Sequence, residues 1–258
     1  MTAYAELCVT TNFTFLVGAS HPEELVTRAA ELGLAAIAIT DRNSVAGVVR
    51  AYSALKELKR LREEESATLE AAEGPVIRSQ RVTDHSSRQT VPHFTGGTAG
   101  PDLPDRPLPR LIPGARLVLT DSPVEWLALP TDLAAWSRLT RLLSLGKRRA
   151  PKGQCHLGMA DLEEWGRGLV LIALPPDPLE GRGFARDLRR IAGRFAGHCY
   201  LGVAPVYDGQ DQERFDRLAE ISQATGLPKV AVGEVMMHRS SRRPLADVLT
   251  CIREHCTI

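Results

Sequence analysis

Cys155 and His156 are residue types that together perform nucleophilic catalysis, in which an imidazole removes the proton of a thiol. Adjacent side chains on a strand or loop usually point apart, and the sequence shows no Asn or Asp that would orient the ring. We therefore interpret the pair as loop or core packing, and we assign a catalytic role to no residue in this chain.

The densest basic cluster is Lys147, Arg148 and Arg149, with Lys152 close behind. It follows a predicted helix, where cations are favoured by the negative end of the helix dipole. Two interpretations stay open: contacts to DNA phosphates, or a solvated helix end. The second is the simpler one.

The cysteines and histidines do not have the spacing of a zinc site or of a redox pair. Cys251 and Cys256 flank His255 without a C-x-x-C motif, and His238 stands apart. An odd number of scattered cysteines argues against a disulfide framework and for a reducing compartment. The full set is Cys8, Cys155, Cys199, Cys251 and Cys256.

The bulk composition excludes several classes of protein. With 32 Lys and Arg against 31 Asp and Glu, the net charge of +1 does not point to nucleic acid, so any basic patch must be local. No G-x-G-x-x-G or P-loop motif follows a strand. No apolar run approaches the ~20 residues of a membrane helix, and residues 1–9 lack the basic region of a signal peptide. We expect a cytoplasmic protein without membrane partners.

The first sixty residues alternate between strand and helix. A strand is predicted over 4–9, then a helix whose capping box is Ser20 with Glu23 and whose end is Gly33. The apolar run LAAIAI (34–39) indicates a strand buried on both faces, and a second helix is predicted over 45–62.

Residues 63–110 are rich in Glu, Ser, Gln, Gly and Pro and poor in large apolar side chains, which predicts a flexible insertion. Strand–helix alternation resumes beyond it. Such alternation predicts parallel strands with crossover helices, so we expect one domain over 1–258, an α/β fold of the irregular barrel kind with about seven mostly parallel strands. The later predicted elements are strands 116–119, 126–129, 169–174, 200–204 and 229–232, and helices 132–145, 184–195, 211–225 and 243–255.

Residues 5–52 contain the motifs Phe13-Thr14-Phe15-Leu16, Gly18-Ala19-Ser20, Pro22-Glu23-Glu24-Leu25 and Ile39-Thr40-Asp41. In these motifs the segment resembles the opening of the PHP domain of bacterial replicative-type DNA polymerases. Two further stretches, 139–157 and 242–258, are similar to the error-prone branch. The resemblance implies a PHP-type distorted barrel, with the palm, fingers and thumb of a polymerase following residue 258.

A PHP site holds two or three divalent ions on His, Asp and Glu, and these ions activate water for phosphoester cleavage. Carried over residue by residue, the resemblance places poor ligands at most positions. Only Glu234 keeps a carboxylate, and two of the positions are arginines. The degenerate positions are Cys8, Thr10, Val17, Arg42, Arg116, Glu234 and Met236.

Guanidinium groups oppose the binding of a cation, so we expect no metal in this domain. We predict instead that Arg42 and Arg116 replace the positive charge of the metals and pair with Asp41 and Glu234. The expected cofactor of the whole protein, Mg²⁺, would belong to the polymerase domain.

The resemblance implies an error-prone polymerase that acts in translesion, damage-induced DNA synthesis and repair, with this domain as a metal-free scaffold. Expected partners are the rest of the polymerase chain, DNA through the full-length protein, and other mutagenesis proteins or a sliding clamp. Two alternatives stay open. One is a residual metal-dependent phosphoesterase or 3′–5′ exonuclease, and the other is a stand-alone binding module.

Overall fold

The computed structural model describes residues 3–72, 107–176, 179 and 182–258. Strands and helices alternate along most of this part of the chain, as the sequence predicts. The strands are β1 (Ala5–Val9), β2 (Ala36–Ile39), β3 (Arg110–Pro113), β4 (Ala115–Val118), β5 (Glu125–Pro130), β6 (Leu169–Leu174), β7 (Cys199–Val203) and β8 (Lys229–Ala231). The helices are α1 (Pro22–Glu31), α2 (Ala46–Ala72), α3 (Leu133–Arg148), α4 (Met159–Trp165), α5 (Arg182–Arg194), α6 (Asp211–Thr225) and α7 (Arg243–Glu254), with a short 3₁₀ helix at Ser240–Arg242.

The strands form two sheets that join into an irregular barrel. Strands β1, β2 and β3 are parallel, and β4 to β8 form a second sheet in which β4–β5 and β5–β6 are antiparallel and the remaining pairs are parallel. Gly114 alone separates β3 from β4. Parallel bridges between Val9 and Val235 and between Arg42 and Arg116 connect the sheets. The predicted α/β barrel is confirmed, with eight strands in the described residues where about seven were expected.

Burial of apolar strands against helices holds the barrel together. All four residues of β2 are buried, as expected of a strand covered on both faces. A second core lies between the other sheet and α3 to α6, around the fully buried Trp126, Leu171 and Phe184. Burying side chains of this size contributes ~1.5–3 kcal/mol each, so these contacts rather than local propensity fix the strand positions.

The start of α1 differs by one residue from the predicted capping box. The helix begins at Pro22 with His21 as its N-cap, and the Glu24 carboxylate accepts the His21 backbone N–H at 2.8 Å. The Ser20 hydroxyl accepts the backbone N–H of His238 at 3.0 Å. Ser20 therefore ties α1 to the C-terminal part of the chain instead of capping the helix.

Helix α2 is longer than predicted. It continues from Arg62 to Ala72, so the start of the predicted flexible insertion (63–110) is wrong over these residues. Ion pairs one turn apart, such as Lys59 with Glu63 and Arg60 with Glu64, add to its stability. Of the rest of the predicted insertion, residues 73–106 lie outside the described residues, and Arg110 already belongs to β3, so the predicted end is also wrong by one residue.

Candidate functional site

A cavity of about 900 Å³ opens at one end of the barrel. Arg116 reaches it from β4, Glu125 from the start of β5, and Glu234 and Met236 from the segment that follows β8. Three of the seven degenerate ligand positions therefore line one cavity. Proline and aliphatic side chains form much of its remaining wall, and they include Pro175, Pro205 and Val232.

An ion-pair network crosses this cavity. The Arg116 Nε donates to the Glu125 carboxylate, and its Nη2 lies 3.5 Å from Glu234 Oε1. Arg42 Nη1 lies 3.5 Å from the other oxygen of Glu125. The side chains of Arg116 and Glu125 are each only 26% exposed, whereas that of Arg42 is 55% exposed. Arg116 is therefore the central cation of the network, and Arg42 reaches it from the rim.

The charge of Arg116 is stabilised by its surroundings. Burial disfavours the guanidinium cation, but Glu125, Cys8 and Glu234 outweigh burial and raise the pKa of Arg116. A carboxylate on two sides of a half-buried cation is the arrangement in which ion pairing offsets desolvation. The positive charge at this point of the cavity is thus permanent.

The segment that carries Glu234 is held in an unusual backbone conformation. Glu234 has φ of 48°, in the left-handed region that residues other than glycine rarely adopt. The next residue fixes it, because the Val235 N–H donates to Cys8 O at 2.9 Å and Val235 O accepts the Thr10 N–H at 2.8 Å. Strain of this kind persists only where surrounding contacts hold it. The contacts with β1 therefore aim the Glu234 carboxylate at Arg116.

Two of the other ligand positions, Cys8 and Thr10, are buried in the barrel wall beneath the cavity. Burial raises the pKa of the Cys8 thiol to about 12. A thiol with this pKa stays protonated at neutral pH, and metals bind the thiolate. Cys8 is therefore a packing residue in this environment, and its nearest charged groups include Arg116 and Glu234.

The predicted pairing of Asp41 with an arginine is wrong. Its carboxylate is fully buried and accepts the Thr11 backbone N–H at 2.9 Å, the Thr11 hydroxyl at 2.9 and 3.0 Å and the Thr14 hydroxyl at 2.9 Å. Burial raises the pKa of Asp41 against the opposing effect of these donors. Within the described residues no Lys or Arg lies in ion-pair range of it. Asp41 instead holds the turn after β1 against the end of β2.

Val17 and Arg42 do not face the cavity. Val17 is half-buried in the turn that Asp41 organises, where its N–H donates to Thr14 O at 3.1 Å. Arg42 lines a separate cleft, described below, although one of its nitrogens reaches Glu125. The degenerate positions thus divide into cavity residues, wall residues and residues outside the cavity.

The donor set of the cavity does not fit a multinuclear metal site. Three carboxylates line the cavity, but the Arg116 guanidinium lies against Glu125 and Glu234, and Asp247 is paired with Arg243. Across residues 3–72, 107–176, 179 and 182–258, no group of three or more His, Cys, Asp or Glu side chains is arranged around a common point that an ion could occupy. Since metal affinity depends on the number of deprotonated ligands, this arrangement supports ion pairing in place of coordination.

The residues of the predicted basic cluster and Cys155 lie in different environments. Arg149 is paired with Asp161, at 2.7 and 2.8 Å, so it is committed to the fold. Arg148 is exposed outside the cleft, while Lys147 and Lys152 line it together with Arg42. Cys155 is half-buried and burial raises the pKa of its thiol, which opposes a nucleophilic role.

Sequence reasoning missed Glu125 and Thr11. Glu125 is one of 31 acidic residues, and nothing in the sequence distinguishes it from the others. Only the antiparallel pairing of β4 with β5 brings it to Arg116. A Thr within a turn carries no signal of a buried carboxylate partner thirty residues away. No sequence pattern pointed to either residue.

Comparison with known proteins agrees with the family resemblance of the sequence. A family model described as the PHP domain matches residues 6–96. Over 255 residues, 99% of this chain, an error-prone DNA polymerase of Ruegeria pomeroyi is 59% identical, and over 256 residues one of Rhodopseudomonas palustris is 41% identical. The chain covers 22% and 19% of these two relatives, so it spans about a fifth of their length.

A solved structure shows the same fold. A Bifidobacterium adolescentis protein described as a metal-dependent phosphoesterase superposes with a TM-score of 0.55 at 14% identity, covering 93% of this chain and 89% of that one. At this identity the likeness concerns the fold alone.

Of the described helices, none is both long and apolar enough to span a bilayer.

Proposed function

We propose that this chain serves as a metal-free scaffold of the PHP type within an error-prone DNA polymerase. The proposal is supported by the PHP-domain match over residues 6–96 and by the similarity of 99% of the chain to such polymerases. The parent activity is template-directed, mutagenic DNA synthesis at damaged template. Nucleotidyl transfer with Mg²⁺ belongs to polymerase residues that these 258 do not include. The role of this domain is to buttress that polymerase and to offer surface to its partners.

The observation that carries the proposal is the position of Arg116 between Glu125 and Glu234. A metal ion bound there would lie close to a guanidinium. Two unit charges ~4 Å apart repel by about 4 kcal/mol at an effective dielectric near 20. The arginine also occupies the carboxylate oxygens that a metal would need. The cavity is thus built to be electrically satisfied without a metal.

The experiment is a measurement of metal content together with hydrolysis. The 258-residue chain is purified without chelator, dialysed against Mn²⁺ or Zn²⁺ and then against buffer, and analysed by mass spectrometry of the elements. We expect far less than one equivalent of either metal. We also expect no cleavage of bis(p-nitrophenyl) phosphate and no shortening of a 5′-labelled single strand.

A stoichiometric metal would refute the scaffold proposal. Hydrolysis that disappears in Glu234→Gln would support the residual phosphoesterase or exonuclease instead. A variant outside the cavity, Arg148→Gln, controls for contaminating nucleases, because it changes an exposed side chain that touches neither carboxylate. Activity that persists equally in both variants would come from a contaminant.

A further inference from the structure

A second cleft, of about 770 Å³, lies on the other side of Arg42 from the ion-pair network. Three cations from two distant parts of the sequence line it: Arg42 comes from the loop after β2, whereas Lys147 at the end of α3 and Lys152 in the following loop are neighbours in sequence. Its lining residues include no Asp or Glu. Folding therefore gathers three positive charges around a lining that contains no carboxylate.

The three cations are available to a ligand. Lys147 and Lys152 are exposed, and within the described part of the chain neither has a carboxylate in ion-pair range. Arg42 has one contact, to Glu125 at 3.5 Å, which leaves most of its five N–H donors in solvent. Arg149, the neighbouring cation that pairs with Asp161, does not line the cleft.

The walls of the cleft are fixed by hydrogen bonds, so the cations are held near one another. Asn43 exchanges two hydrogen bonds with the Val118 backbone, at 2.9 and 3.2 Å, and thereby fixes the loop that carries Arg42. On the opposite wall the His156 N–H donates to Gly146 O at 3.0 Å. That bond returns the 151–155 loop to the end of α3. If Lys147 and Lys152 were only the solvated end of a helix, no second loop would need to bring Arg42 to the same cleft.

Phe13 adds an aromatic surface to the cleft. Its side chain is part of a residue that remains 39% exposed, and its N–H donates to the Thr11 hydroxyl at 3.1 Å. Cationic grooves that carry an exposed aromatic ring bind single-stranded nucleic acid, because the ring stacks on an unpaired base while the cations contact phosphates. A cleft of this volume is in the range that holds a small ligand the size of a nucleotide or two.

We propose that this cleft binds single-stranded DNA, with Arg42, Lys147 and Lys152 on its phosphates and Phe13 stacked on a base. Such a contact would hold unpaired template near the polymerase. The proposal does not depend on whether the neighbouring cavity is free of metal. Of the predicted basic cluster, the proposed site keeps Lys147 and Lys152 and leaves out Arg148 and Arg149, and it adds Arg42.

The test measures fluorescence anisotropy of a labelled oligothymidylate bound to the 258-residue chain at several salt concentrations. Each neutralised phosphate of a single strand contributes about −0.7 to the slope of log affinity against log salt, so three contacts predict a slope of about −2. The double variant Lys147→Gln/Lys152→Gln should reduce that slope to about −0.7 and weaken binding at low salt by about tenfold or more.

The matched control is Arg167→Gln/Arg189→Gln, which removes the same charge from two exposed arginines outside the cleft. It should bind as the unmodified chain does. Phe13→Ala should weaken binding by about fivefold or more, since stacking on an aromatic ring contributes at least ~1 kcal/mol per base. Melting temperatures of all variants check that each one is folded.

Three results would overturn the proposal. The first is absence of binding at low salt, and the second is an equal loss of affinity in the control double variant. The third is displacement by inorganic pyrophosphate with no dependence on Phe13, which would identify a site for free phosphates. Metal analysis of the same samples stays independent, so failure here is distinguishable from failure of the scaffold proposal.

Discussion

Arg116→Ala should destabilise the domain, because it leaves Glu125 and Glu234 facing each other without their shared cation. The charge-assisted hydrogen bond to Glu125 is half-buried and contributes about 1.5–3 kcal/mol. The contact with Glu234, at 3.5 Å and 44% exposed, adds about 0.5 kcal/mol at most. Arg42 still offsets part of the charge of Glu125. A net loss of about 2 kcal/mol is expected, which lowers the melting temperature of a chain of this size by about 4–8 °C.

Thermal and urea unfolding followed by circular dichroism measure this loss. Arg42→Ala is the matched control, since its side chain is 55% exposed and makes one long contact to the same carboxylate, so it should cost under about 1 kcal/mol. Glu125→Gln combined with Arg116→Ala should recover part of the stability, because the remaining carboxylate no longer meets a second one.

Adding a divalent cation tests more directly whether Arg116 replaces the charge of a metal. If Arg116 stands in for metal charge, millimolar Mn²⁺ should raise the melting temperature of Arg116→Ala and leave that of the unmodified chain unchanged. If Mn²⁺ does not raise the melting temperature of Arg116→Ala, the charge-replacement reasoning is refuted. An equal loss of stability in Arg42→Ala and Arg116→Ala would also refute it, because the effect would then come from general surface charge.

Three further predictions concern other residues. Asp41→Ala should cost about 3 kcal/mol in urea unfolding, because it leaves buried N–H and hydroxyl donors without an acceptor; a loss under half of that would contradict its role in the turn. Because burial raises the pKa of Cys8 from 9.0 to about 12, the folded state holds its proton more tightly. Stability should therefore be fully present below pH 9 and fall as the pH rises towards 12, less steeply in Cys8→Ala; equal slopes would refute this. Arg149→Ala should lower the melting temperature through the loss of the Asp161 pair, whereas Arg148→Ala should leave it unchanged within about 1 °C.

Local patterns were sufficient to predict most elements. The run LAAIAI indicated β2, Gly33 indicated the end of α1, and the apolar periodicity of 132–145 indicated α3. These succeed because strand burial and helix caps depend on neighbours in sequence. The prediction of α2 ended too early because a charged, helix-forming stretch (63–72) resembles a solvated loop in composition. Composition does not show the ion pairs between successive helical turns that support it.

The candidate site was predicted in part. The sequence predicted that an arginine pairs with Glu234, and Arg116 Nη2 lies 3.5 Å from Glu234 Oε1. It also placed Asp41 in a salt bridge, although Thr11 and Thr14 satisfy that carboxylate in the structure. Hydroxyl and backbone N–H groups donate to the Asp41 carboxylate only if the turn between β1 and α1 orients them towards it. The spacing of residues in the sequence does not specify that orientation.

The sequence by itself determined the class of fold and the resemblance to the PHP family, and it predicted poor metal ligands at most of the matched positions, because each of these depends on residue types in order. The tertiary structure decided which charges meet. Glu125 reaches Arg116 through the antiparallel register of β4 and β5, and Arg42 joins Lys147 and Lys152 across one cleft. Electrostatic energy depends on distance and burial, and both are set by how strands far apart in the chain pack together.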